Sequence, residues 1–158
     1  MDFISPAKYL FHLLPPIPLL NGGQMEKGII VEKIRNVLSS LPTLRVAYLY
    51  GSFLHRDDFK DIDIALLIDD LTGKGQVLEF AAKTGDIIEE VLGFSHECDI
   101  RVLNEQPVWF KYVVISTGLP LYVRIEDDRL DFETEVLVEY LDIKSMYDLF
   151  DREYLAQV

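Results

Sequence analysis

Residues 44–68 read LRVAYLYGSFLHRDDFKDIDIALLI. Two β-rich runs, 44–50 and 62–68, flank a Gly51-Ser52 exit and a polar loop, and Asp61-Ile62-Asp63 opens the second run. Asp is depleted from strands and is seldom buried without a partner, so two carboxylates here ask for something cationic. Residues two apart in a strand share a face and stand about 6.6 Å apart along it. Asp61 and Asp63 are therefore expected side by side, with Ile62 and Ile64 entering the opposite layer.

Working outward, helix and strand alternate. Residues 26–41 place Ile30, Ile34, Val37 and Leu41 on one helical face, with Val31 and Leu38 beside it. Pro42 ends that helix. After the second strand, Asp69-Asp70 and the Gly73/Gly75 turn lead into a helix over 76–92, with Val77, Ala81, Ile88 and Val91 inward and Gly93 at its stop. ECDIRVLN, 97–104, is a third strand in which Cys98, Ile100 and Val102 alternate with Asp99 and Arg101. Pro107 can start a short helix that Gly118 stops, and LPLYVRI, 119–125, is a fourth strand. Phe132, Val136, Tyr140, Ile143, Tyr147, Phe150 and Tyr154 then form a helical stripe on one long helix or two, for which core packing is the better expectation. The fold class is α/β (α+β), a mixed sheet of about four strands flanked by helices, with a C-terminal helical extension. The expected division is an N-terminal extension over 1–24, a main domain over 25–125 and the helical extension over 126–158.

Composition bounds the function. The 158 residues carry 27 acids against 15 bases, for a formal charge of −12. That excess disfavours a broad nucleic-acid contact, which needs a concentrated basic surface. A small nucleotide site remains open, because a bound metal inverts the local electrostatics. The one cysteine, Cys98, permits no intrachain disulfide and fits a reducing, cytoplasmic location. It is expected to be buried and inert. His12, His55 and His96 have no zinc-like spacing, and no apolar run reaches bilayer length. YLFHLLPPIPLL, 9–20, is apolar, but three prolines break it, Lys8 is the only base near it and no small-residue cleavage site follows.

The aspartates point to a specific chemistry. If the third strand neighbours the second, Asp99 brings one more carboxylate to the same site. Oxygen-only ligation suits a hard cation such as Mg²⁺, which completes its shell with water and phosphates. Two such ions about 3.5–4 Å apart can activate an attacking oxygen and steady a leaving one. Gly51 allows close backbone approach, and Ser52 is a favoured N-cap. A short helix beginning at SFLHR would then offer free N–H groups to an anion. A Mg²⁺–nucleotide satisfies both halves. Gly-Ser after a strand is ordinarily a plain turn, and Asp-x-Asp ordinarily a solvated strand end; their combination with a later strand Asp carries the reading.

Strand, Gly51-Ser52, loop, Asp61-x-Asp63 and a later strand bearing Asp99 together resemble the nucleotidyltransferase superfamily that includes DNA polymerase beta, in particular its minimal nucleotidyltransferases. The resemblance covers about residues 26–125. Beyond it, PVWFKYVVISTGLPLYVRIEDDRLDFETEVLVEYLDIKSMYDLF, 107–150, is similar to the C-terminal part of MNT-type antitoxins, which pair with HEPN-domain ribonuclease toxins. The resemblance implies transfer of AMP from ATP to a tyrosine hydroxyl of such a toxin. It further implies that Asp61, Asp63 and Asp99 hold two Mg²⁺ ions, with Asp99 as ligand or base, and that Gly51 and Ser52 hold the β- and γ-phosphates. One departure is the spacer FLHRDDFK, 53–60, which is shorter than usual in that group and puts Lys60 where Ser is frequent. Arg56 and Lys60 are candidates to supply charge to the triphosphate, or are ordinary solvated bases.

Two other readings stand beside this one. The chain could keep the fold with weak or no catalysis and neutralise a partner by binding it, the aromatic stripe being the contact. It could instead transfer nucleotide to a small-molecule acceptor. The acidic surface would suit a basic protein partner. Trp109 is expected to pack rather than stack on a base.

Overall fold

The computed structural model describes residues 22–70 and 73–155. The apolar run at 9–20 and nearly all of the expected N-terminal extension lie outside these residues. Helix α1 (Gly22–Ser39) leads to β1 (Leu44–Tyr50), a single-turn α2 (Ser52–His55) and β2 (Asp61–Ile68). Helix α3 (Lys74–Val91), β3 (Glu97–Val102), a 3-10 turn (Leu103–Glu105), α4 (Val108–Thr117), β4 (Leu119–Val123) and α5 (Glu126–Leu155) complete the chain. The strands form one mixed sheet in the order β3-β2-β1-β4. β1 runs antiparallel to β2 and β4, and β2 runs parallel to β3.

The alternation of the strands divides the core between two faces. On one face Ala47, Leu49, Ile62, Ile64, Leu66, Ile68 and Leu121 pack with Ile30, Ile34 and Leu38 of α1 and with Val77, Ile88 and Leu92 around α3. On the other, Val46, Tyr48, Ala65, Leu67 and Val123 pack with Val114 of α4 and Phe132 of α5. The parallel β2–β3 pair requires a crossover, and α3 supplies it. The inward set on α3 is Val77, Ala81, Thr84, Ile88 and Leu92; Val91 is 42% exposed, so the expectation for that residue is corrected by one position. Spacings of 4, 3, 4 and 4 keep Leu92 on the buried face, whereas Val91 falls about 60° off it.

Polar side chains lock the frame. Asn104 donates to the Ile68 carbonyl (2.9 Å) and accepts from the Ile68 N–H (3.1 Å), continuing the β2 ladder where β3 has curled into the 3-10 turn. Arg124, past β4, grips Asp69, past β2, through two 2.7 Å bonds and reaches the Pro42 carbonyl at 3.1 Å. The buried Tyr48 donates its hydroxyl to Glu133 of α5 at 2.9 Å, and Arg129 donates to the same carboxylate oxygen at 2.8 Å. Gly118 joins α4 to β4 where a Cβ would stand 2.5 Å from the Val114 carbonyl oxygen and 3.1 Å from that of Leu49.

The C-terminal stripe is one helix, and it packs over only part of its length. Phe132 lies against the sheet, Val136 is buried and the Tyr140 ring stacks on Tyr112 at 3.7 Å and 2°. Beyond Ile143 the described apolar residues Met146, Tyr147 and Leu149 are exposed, so core packing holds for the first half and not for this segment. Phe150 and Tyr154 fall outside the described side chains.

Candidate active site

Past the edge of α4 and α5, the second face of the sheet turns polar. Tyr50 of β1 pairs with Asp63 of β2, and Asp63 pairs with Asp99 of β3. The three therefore form one transverse row, on the face that also carries Ala65 and Tyr48. Asp61 lies one step along β2 on the same face, opposite Glu97. Sequence patterning thus brings Asp61, Asp63 and Asp99 together as expected, while Ile62 and Ile64 are completely buried on the other side.

Crowding is visible in the electrostatics. Burial first, then the charges of Asp61 and Asp99, push the Asp63 carboxyl above its usual range, and Arg101 partly offsets this. The Tyr50 hydroxyl is also pushed up, by burial and then by Asp63 and Asp99. Opposed carboxylates on adjacent strands repel, and a hard cation is the simplest relief. The donor set, all carboxylate oxygen on one open face, fits such an ion. Among the described residues, however, no three acidic, His or Cys side chains converge closely enough to hold a metal as they stand.

Gly51 shapes the other wall. Its φ of +77° and ψ of −155° suit glycine alone, and a Cβ there would fall 2.2 Å from Asp63 Oδ2. The backbone leaving β1 is therefore pressed against the Asp63 carboxylate. Ser52 is the first residue of α2 rather than its cap; Gly51 takes the cap position, and no side chain caps the helix. Because the turn needs a positive φ, glycine occupies the place where serine was expected.

The two loop bases are placed differently. Arg56 is exposed and bound to its neighbour Asp58 through bonds of 2.9 and 2.8 Å. Lys60 lines a cavity of about 530 Å³ with Glu89, Phe94, Ser95, His96 and Glu97, none of them in the aspartate row. A neighbouring cavity of about 380 Å³ is lined by Asp61, Glu89, Glu97, Cys98 and Asp99. Cys98 is half-buried, and burial followed by the Glu89 charge pushes its thiol up to about 12. Its alternation with Asp99 turns it to the opposite face of β3, and it is half-buried there rather than fully buried as expected.

Two neighbours of the row were not singled out from the sequence. Arg101 binds Asp99 from two residues along β3, and Glu89 Oε1 accepts the Cys98 N–H at 2.8 Å. The period of two along β3 was signal enough for Arg101, since it places that side chain on the face of Asp99. Glu89 had no such signal, because its approach depends on how α3 returns to the sheet. Trp109, expected to pack, is 59% exposed and meets Phe110 edge-on at 5.8 Å; Phe110 in turn meets Tyr50 at 5.7 Å.

A family model described as polymerase beta nucleotidyltransferase matches residues 32–127, more than half of the chain. The chain belongs to the polymerase beta nucleotidyltransferase family. Every element of the aspartate row lies inside the matched segment. Comparison with curated protein sequences gives no match. Among solved structures, this nucleotidyltransferase is similar to a chain of the tri-AMPylated Shewanella oneidensis HEPN toxin in complex with MNT antitoxin. The identity is 20% and the TM-score 0.55, covering 84% of this chain and 98% of that one. It is similar also to a chain of a toxin–antitoxin structure with AMP-PNP, at 22% identity and TM-score 0.59, covering 79% of this chain and 98% of that one. At such identities the likeness establishes the nucleotidyltransferase fold. Among the described residues, no helix is long and apolar enough to cross a membrane.

Proposed function

We propose that this chain is a Mg²⁺-dependent nucleotidyltransferase that acts as an antitoxin, transferring AMP from ATP to a tyrosine hydroxyl of a HEPN-type toxin. The observation that carries this reading is the in-register Asp63–Asp99 pair, with Asp61 on the same face and the Gly51 backbone against Asp63. The structural likeness to chains of toxin–antitoxin complexes supports the partner, and the structure with AMP-PNP supports an adenine nucleotide.

In roles, Asp61 and Asp63 would hold the metal from one face of β2, and Asp99 would complete the site from β3. When bound, Mg²⁺ supplies neutralisation of phosphate charge and a template for in-line displacement. The Gly51-Ser52 turn receives the β- and γ-phosphates. The tyrosine oxygen bonds to the α-phosphorus, the α–β anhydride bond breaks and pyrophosphate leaves. Asp99 lies near the attacking oxygen as metal ligand or as the base that takes the phenol proton. Positioning and charge neutralisation account for most of the acceleration.

The test is ATP titration with and without Mg²⁺, followed by transfer of labelled AMP to a co-purified HEPN-domain partner. Asp61→Ala/Asp63→Ala should abolish both without lowering the melting temperature. Transfer that survives in the double variant would refute the assignment.

One observation favours a second reading, neutralisation by binding alone. Met146, Tyr147 and Leu149 form an apolar segment of α5 that the rest of the described chain does not cover. Neutralisation by the Asp61→Ala/Asp63→Ala variant would select this reading.

A further inference from the structure

The Asp99 carboxylate is already engaged. Arg101 Nε lies 3.0 Å from its Oδ2 and 3.3 Å from its Oδ1, and Nη2 lies 2.9 Å from Oδ2. Among the described residues, no other Lys, Arg or His forms an ion pair with Asp61, Asp63 or Asp99. Arg101 stands in register with Ala65, whose methyl leaves the neighbouring face of β2 low. The pair is open to water, with side chains 50% and 44% exposed.

We propose that Arg101 is a positioning residue that competes with the divalent cation for Asp99, holding the third carboxylate in the metal-free protein and yielding it when the metal arrives. The inference rests on the metal–nucleotide reading of the aspartate row. An Arg fork matches a carboxylate in two contacts and fixes its orientation, which a lysine does not do. With Asp99 turned to that grip, the three carboxylates gathered on one face do not stand as a ready-made metal cage among the described residues. The grip is also breakable, since solvent-exposed ion pairs contribute little to stability. A divalent ion brings twice the charge and direct oxygen contact, so it displaces the guanidinium. Arg101 therefore keeps the row partly neutral without metal, at the cost of a lower affinity for metal. Its charge extends to Asp63 as well, where it opposes the upward shift of that carboxyl.

The test is Mn²⁺ binding to the full chain, without nucleotide, followed by electron paramagnetic resonance and calorimetry. The proteins compared are wild type, Arg101→Gln, Arg101→Lys, Asp99→Asn and the Arg101→Gln/Asp99→Asn double variant. Arg101→Gln should bind Mn²⁺ about fivefold more tightly than wild type, the scale set by an exposed ion pair. Arg101→Lys should fall between the two, and the gain should vanish in the Asp99→Asn background. Equal or weaker Mn²⁺ binding by Arg101→Gln overturns the role given to Arg101 while leaving the nucleotide site intact. The same gain in the Asp99→Asn background also overturns it, because the effect would then be one of general charge. Absence of Mn²⁺ binding in every protein, wild type included, overturns the metal reading of the row itself.

Discussion

Gly51 and Asp63 are bound to each other by exclusion: the carboxylate occupies the space into which any side chain at position 51 would grow, 2.2 Å from Asp63 Oδ2. Gly51→Ala should therefore suffer twice, from a φ of +77° and from the clash. The expected loss of stability is about 1–3 kcal/mol for the backbone region alone, with more for the contact. Shortening the carboxylate separates the two contributions. In an Asp63→Ala background the Gly51→Ala cost should fall to the backbone part, as read by a double-mutant cycle in urea. Strict additivity would mean that the two residues do not press on each other.

Asp63→Asn should stabilise the nucleotide-free protein at neutral pH while abolishing metal-dependent nucleotide binding. The folded protein raises the Asp63 carboxyl above its usual 3.8, so folding favours the protonated form. Its ionisation above that range opposes folding, and the penalty is absent below 3.8. The carboxyl is only partly buried, so screening limits the gain to about 0.5 kcal/mol. Thermal melts of both proteins between pH 3 and 7 should diverge as pH rises. A gap that widens toward low pH would contradict the direction given for this carboxyl.

The opposite sign holds at Asp69. Its hydrogen bonds from Arg124 hold the carboxyl below its usual range, so this pair adds stability above pH 3.8 and loses it as pH falls through the lowered value. Arg124→Ala should cost about 1 kcal/mol at pH 7, and the loss should shrink in acid. A destabilisation independent of pH would assign the effect to the Pro42 carbonyl contact instead.

Tyr48→Phe should cost about 1.5–3 kcal/mol, the range for a hydrogen bond to a charged group. The hydroxyl is the link between the central strand and Glu133. Hydrogen exchange should localise the loosening to the first turns of α5, and a uniform change across the sheet would argue against that link.

A chain ending after Lys144 should melt within a few degrees of the full protein, because Phe132, Val136 and the Tyr112–Tyr140 stack all precede the cut. It should lose affinity for the partner if the exposed end of α5 is the contact. Full retention of partner binding would exclude that segment as an interface.

The sheet and the aspartate row were legible because each rests on a period of two. Once 62–68 reads as a strand, the placement of Asp61 and Asp63 opposite Ile62 and Ile64 follows, and β3 repeats the pattern. The less legible features depend on tertiary placement. Nothing in 76–92 distinguishes Val91 from Leu92 until α3 lies on the sheet, and the helical stripe after Phe132 gives no sign of where its support ends. The loop bases behave likewise. Arg56 finds Asp58 two residues away, a contact that short-range charge competition makes and that no motif records.

Among the described residues the sheet has two unpaired edge strands, β3 and β4, and neither invites another chain. β4 presents Pro120, which has no N–H to donate. β3 carries Glu97, Asp99 and Arg101 on one face, and charge along an edge strand discourages intermolecular pairing. The charges that crowd the aspartate row thus also guard a margin of the sheet against aggregation. Replacing Glu97, Asp99 and Arg101 together with neutral residues would leave β3 open to edge-to-edge self-association, a solubility defect separate from any loss of chemistry.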